Sequence, residues 1–132
     1  LKFYAALEVW SSVVKNITKT VNGTPRQIGI QAELKVKKNR LTGRVVKVQA
    51  PIYWGYGIDD IAGCIDFLVT EKHWTEVKGN LKAAEFEFEG KRRGLIEHIE
   101  ENDLEQNLYA VVADVWAAIE RALVLPRKKR YE

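Results

Sequence analysis

The sequence predicts an α+β fold in two parts: antiparallel strands up to Trp54, then a small helical portion with a short β-sheet. Three observations predict it. Apolar and polar residues alternate through much of 1–54, the apolar spacing becomes helical after Gly55-Tyr56-Gly57, and the charge balance reverses at the same place. Through Trp54, ten Lys/Arg stand against Glu8 and Glu33, a net of +8. From Gly55, eleven stand against sixteen acids, a net of −5, which leaves the 132-residue chain at +3. The boundary is therefore expected between 1–54 and 55–132. A basic first half is expected to meet an anionic partner.

A first strand is read from 1–14, where Leu1, Phe3, Ala5, Leu7 and Val9 point one way and Lys2, Tyr4, Glu8, Trp10 and Ser12 the other. A buried strand opening the chain, in a sequence without methionine, is expected of a fragment. Asn22-Gly23-Thr24-Pro25 signals a turn. The next strand sets Ile28, Ile30, Ala32, Leu34 and Val36 against Gln27, Gln31, Glu33, Lys35 and Lys37. Beyond Leu41-Thr42-Gly43, a third carries Val46, Val48, Ala50, Ile52 and Trp54 on one face, giving a long hairpin with one wet face per strand.

Ile58, Ile61, Ala62, Ile65, Leu68 and Val69 then fall at helical spacing. Asp59 and Asp60 sit where the helix dipole favours acids, and the helix is expected to end near Glu71. Strand-like pieces follow at 74–78 and 84–89, the second alternating Phe86 and Phe88 with Glu85, Glu87 and Glu89. Gly90 and Gly94 bracket Lys91-Arg92-Arg93, read as a basic loop at a helix start. Helices are expected at 95–101 and 104–123, the longer one with a stripe including Leu108, Val112, Val115 and Ile119. Pro126 stops it ahead of Arg127-Lys128-Lys129-Arg130.

Composition narrows the function classes. At 46% hydrophobic with four Trp, the chain can form a packed core. No apolar run approaches the roughly 18 residues of a membrane span, and no signal-peptide pattern occurs. A cytoplasmic protein without a membrane partner is expected. Cys64 alone cannot form an internal disulfide, and one thiol with His73 and His98 makes no metal-ligand cluster. No metal is expected, and these three residues are read as structural. Asp59, Asp60 and Asp66 are read as capping and solubility residues.

LKFYAALEV at 1–9, ELKVKKNRLTG at 33–43, PIYWGYGIDDIAGCIDFLV at 51–69 and FEFEGKRRG at 86–94, in that order, resemble segments of the RecA family of DNA recombinases. The first resembles the strand after the family's second DNA-binding loop, and the second its lysine-rich strand. The third is similar to the end of the last core strand and the helix opening the C-terminal domain. The fourth is similar to an aromatic strand, glycine turn and basic loop. The resemblance implies that 1–54 closes a RecA-type ATPase core and 55–132 is its C-terminal domain. The parent would form homo-oligomeric, ATP-dependent filaments on single-stranded DNA and carry out homologous pairing and strand exchange. ATP and Mg²⁺ would be the parent's cofactors. This fragment would bind neither, since a RecA-type ATPase needs G-x-x-x-x-G-K-[ST] and none occurs.

Site residues follow from the same resemblance. Lys38 and Arg40 match the two lysines of the basic strand, implying catalysis in trans toward the γ-phosphate of a neighbouring subunit. Arg40 departs from the lysine, keeping the charge but presenting a planar fork. Lys2 and Phe3 match subunit-interface positions, while Glu8 stands where a basic interface residue is expected. Lys91, Arg92 and Arg93 are expected to gather duplex DNA through its phosphates. The basic end departs from the acidic tail usual in bacterial members. Plainer readings stand beside these: a solvated basic strand, a core Phe, a solvated turn. Tyr53, Trp54 and Tyr56 read as core before base-stacking platforms. For the whole chain, the rival is a stand-alone nucleic-acid-binding or protein-interaction module without an ATPase.

Overall fold

A computed structural model describes residues 4–128 and 130. The expected interface residues Lys2 and Phe3 lie outside the described residues. The fold is α+β, with two antiparallel sheets and three α-helices among the described residues. The chain divides into two compact units, Leu1–Gly63 and Cys64–Glu132. Beyond the glycine turn at 55–57, Gly57 and Ile58 pair with the first sheet, and the N–H of Asp59 donates to the carbonyl of Pro51 at 2.9 Å.

The first unit is a four-stranded sheet in the order β1 (Leu7–Val21), β2 (Thr24–Asn39), β3 (Lys47–Tyr53), β4 (Gly57–Ile58). Asn22 and Gly23, at φ of 53° and 73°, make the two-residue turn whose twist suits a hairpin. β1 runs well past residue 14. Its register shifts between Val13 and Lys15 and again between Ile17 and Thr18, and such bulges erase the two-residue period. The expectation of a buried opening strand is corrected where it can be seen: Leu7, Val9, Val13 and Val14 are exposed. Among the described residues β1 is an edge strand, paired only with β2.

Register assigns the faces. Ile30, Ala32 and Leu34 lie opposite Ile52, Ala50 and Val48 on an apolar face, with Gln31, Glu33 and Lys35 opposite Pro51, Gln49 and Lys47 on the other. A Cβ at Gly29 would stand 2.3 Å from the Ile52 carbonyl oxygen, so only glycine lets β2 and β3 approach there.

Helix α1 (Asp60–Thr70) starts where the Asp59 carboxylate accepts the Ala62 N–H at 3.0 Å. In the second unit, β5 (Thr75–Val77), β6 (Asn80–Ala83) and β7 (Phe88–Lys91) form the sheet. The expected strand at 84–89 is not one strand. Ala84–Phe86 forms a 3-10 turn that buries Phe86, Glu87 takes a left-handed φ of 50°, and β7 begins only at Phe88. α2 (Arg92–Glu101) and α3 (Glu105–Ala122) complete the unit. Ile65, Leu68, Trp74, Leu81, Phe86, Leu95, Ile99 and Leu108 form its core. Gly90 and Gly94 leave room for Phe88, whose ring tip lies 3.0 and 3.3 Å from where their Cβ atoms would be. No helix among the described residues is long and apolar enough to cross a membrane.

Candidate nucleic-acid interface

The polar face of the first sheet gathers cations around an aromatic ring. The cross-strand pairs put Trp10 beside Lys35, and Lys35 beside Lys47. Lys15 lies opposite Gln31 on the same face. The Lys37 ammonium sits 4.8 Å from the centroid of the Trp10 ring, a cation–π contact. On its edge, the Trp10 indole N–H donates to the Glu8 carboxylate. Glu33 accepts from Gln49 Nε2 at 3.1 Å and lies 3.7 Å from Lys47 Nζ. Lys15, Lys35, Lys37 and Lys47 are all exposed, as is Trp10 at 51%. Chemically, this is an exposed face with charge for phosphates and a ring on which a base can stack.

Lys38 and Arg40 lie at the end of β2, where the chain turns. Lys38 stands opposite Glu8 and is half-buried, while Arg40 is exposed with its N–H donating to the Ala6 carbonyl at 2.9 Å. Asn39 builds the turn between and beyond them. Its Oδ1 accepts the N–H groups of Leu41 and Thr42 at 3.1 and 3.2 Å. Its Nδ2 donates to Thr42 Oγ1 at 2.7 Å and to the Arg44 carbonyl at 3.3 Å. Asn39 was not singled out in the sequence, yet Asn ahead of Leu-Thr-Gly is the pattern of a side-chain-closed turn. Trp10 was missed as well. Its signal was a tryptophan at a polar-face position of an alternating strand.

The basic triplet is a strand-to-helix junction instead of a loop. Lys91 ends β7, and Arg92 and Arg93 open α2. Arg92 makes a two-pronged pair with Asp66, at 2.8 and 2.9 Å, which assigns Asp66 a partner as well as a surface position. Arg93 binds Glu97 one turn on, at 2.9 Å. Phosphates approaching here compete with two carboxylates, although the Lys91 side chain does not cap α2.

The remaining candidates separate. Tyr53 is half-buried, whereas Trp54 and Tyr56 are exposed, contrary to a core reading of those two. His98 stacks on Phe88 with 5.6 Å between ring centroids, and Cys64 is half-buried. His73 Nε2 and the Glu85 carboxylate are paired, and the Trp74 indole N–H donates to Glu85 at 2.7 Å. Partial burial acts to raise the Glu85 carboxyl. The hydrogen bonds from Trp74, its own backbone and His73, with the His73 charge, outweigh burial and hold it below 4.5. Among the described residues, no group of three or more His, Cys, Asp or Glu side chains is arranged to hold a metal ion. No family model matches the chain, and no curated protein matches it.

Proposed function

We propose that this chain is the C-terminal part of a RecA-like recombinase, whose parent assembles with ATP on single-stranded DNA and pairs and exchanges homologous strands. One observation carries the reading: a sheet face with Lys15, Lys35, Lys37 and Lys47 around exposed Trp10, continued at its end by Lys38 and Arg40. Such a face suits a flexible polyanion whose bases are free to stack, which describes single-stranded DNA better than a duplex. The order of the four segments in the sequence supports the family.

In that reading the chain's residues have distinct tasks. The sheet face binds the nucleic-acid backbone without reading its sequence. Lys38 and Arg40 bring positive charge to phosphoryl oxygens as negative charge develops on them, an effect larger in the transition state than in the ground state. Asn39 is a positioning residue, since the turn it closes orients Arg40. Lys91, Arg92 and Arg93 gather duplex DNA weakly, because Arg92 and Arg93 already hold carboxylates. ATP and Mg²⁺ belong to the parent, and this chain contributes cations toward the neighbour's nucleotide.

The test is made in the parent protein. Lys38→Ala and Arg40→Ala are expected to leave ATP binding intact and to lower hydrolysis on saturating single-stranded DNA. Normal hydrolysis by both variants excludes the role in trans. A parent gene product lacking a phosphate-binding loop upstream of Leu1 favours the free-standing nucleic-acid-binding module, for which the same sheet face is sufficient.

A further inference from the structure

The segment after α3 combines two chemistries that the nucleic-acid reading does not use together. Leu123, Val124 and Leu125 are three consecutive aliphatic side chains exposed at 61%, 66% and 76%. They are held in tight turns, the N–H of Leu123 donating to Ile119, that of Val124 to Arg121, and that of Arg127 to Leu125. Residues 121–130 read RALVLPRKKR, with five cations and no acid. A nucleic-acid backbone would satisfy the cations and leave the aliphatic side chains in water. An anionic bilayer satisfies both, taking the leucines into the acyl boundary and the cations among the headgroups.

We propose that residues 121–130 dock this protein on an anionic lipid surface. Docking at a surface differs from crossing it. The expectation of no membrane partner rested on the lack of a spanning stretch, which a surface contact does not need. α3 ends at Ala122 and Pro126 separates the two parts, so the apolar triplet and the cation run lie outside a continuous helix and can meet the headgroup layer at different depths. The inference is independent of the recombinase reading.

The experiment is co-sedimentation of the 132-residue chain with vesicles of phosphatidylcholine alone and with phosphatidylglycerol added. The chain is expected to pellet only with the anionic vesicles. Arg127→Ala with Lys128→Ala should weaken binding about 25-fold, from about fivefold for each cation lost near an anionic surface. Leu123→Asn with Leu125→Asn should weaken it at least about tenfold, through lost apolar burial. These side chains are exposed, and an unchanged circular dichroism spectrum verifies that each variant is folded. Failure to pellet with anionic vesicles overturns the proposal. So does pelleting that the leucine substitutions leave unchanged, which would reduce the contact to adsorption by charge. Tail-dependent retention of an oligonucleotide, without vesicle binding, would make the segment a nucleic-acid contact and overturn it equally.

Discussion

Single side chains decide how the candidate site is presented. Asn39 makes four hydrogen bonds within one exposed turn. Asn39→Ala should cost roughly 1 kcal/mol in urea unfolding, because water replaces much of what is lost. An unchanged midpoint would mean that the turn holds without its side chain. In the second unit, Glu85 ties His73 and Trp74 together. Its carboxyl is lowered in the folded protein, so its stabilisation is complete above the unfolded value of 4.5 and is lost as pH falls through the folded value. The stability gap between the wild type and Glu85→Gln should therefore close on acidification below pH 4.5. A gap that stays constant through that window contradicts the assignment. Neither residue's role was legible beforehand: a turn-closing Asn has a local pattern, whereas Glu85 meets His73 only through the fold.

At the scale of elements, glycines separate obligatory close approach from convenient packing. Gly29→Ala drives a Cβ into the Ile52 carbonyl oxygen and should cost more than about 2 kcal/mol, since backbone must move. Gly94→Ala meets only the tip of the Phe88 ring, at 3.3 Å. Its helix-propensity gain of up to about 1 kcal/mol offsets that contact, and the net change should be small. Equal losses at both positions in thermal or urea unfolding would contradict this contrast. The strands around Ile28–Val36 and Val46–Ile52 were legible because their alternation is unbroken. β1 was legible only in part, since its bulges hide the period beyond Val13. The 84–89 region alternated like a strand, but Phe86 is drawn into the core by a 3-10 turn, a tertiary preference that overrides a local pattern. The hairpin at Lys78-Gly79, with φ of 52° and 79°, carries a turn signal that the short flanking strands made easy to overlook.

For the whole molecule, charge is divided between the units. Leu1–Gly63 has ten basic residues and four acids, a net of +6, and Cys64–Glu132 has eleven against fourteen, a net of −3. Binding of single-stranded nucleic acid should reside chiefly in the first unit. The isolated chain should show no DNA-stimulated ATP hydrolysis, because its sequence contains no phosphate-binding loop, and phosphate release above a blank would contradict that. The sheet face was legible as charge but not as a site, since only register brings Trp10 alongside Lys35 and Lys37. The most direct test is the binding of a labelled oligothymidylate across a salt series, by fluorescence anisotropy. Contacts by Lys15, Lys35 and Lys37 contribute about −2 to the slope of log K against log salt, from about −0.7 for each phosphate on a single strand. Replacing the three by Ala should make the slope less negative by about 2, leaving the part carried by Lys47, Lys38 and Arg40, and Trp10→Ala should weaken binding about tenfold through lost stacking. Binding with an unchanged slope in the triple variant, or no binding by the wild type at low salt, would contradict a nucleic-acid interface on this face.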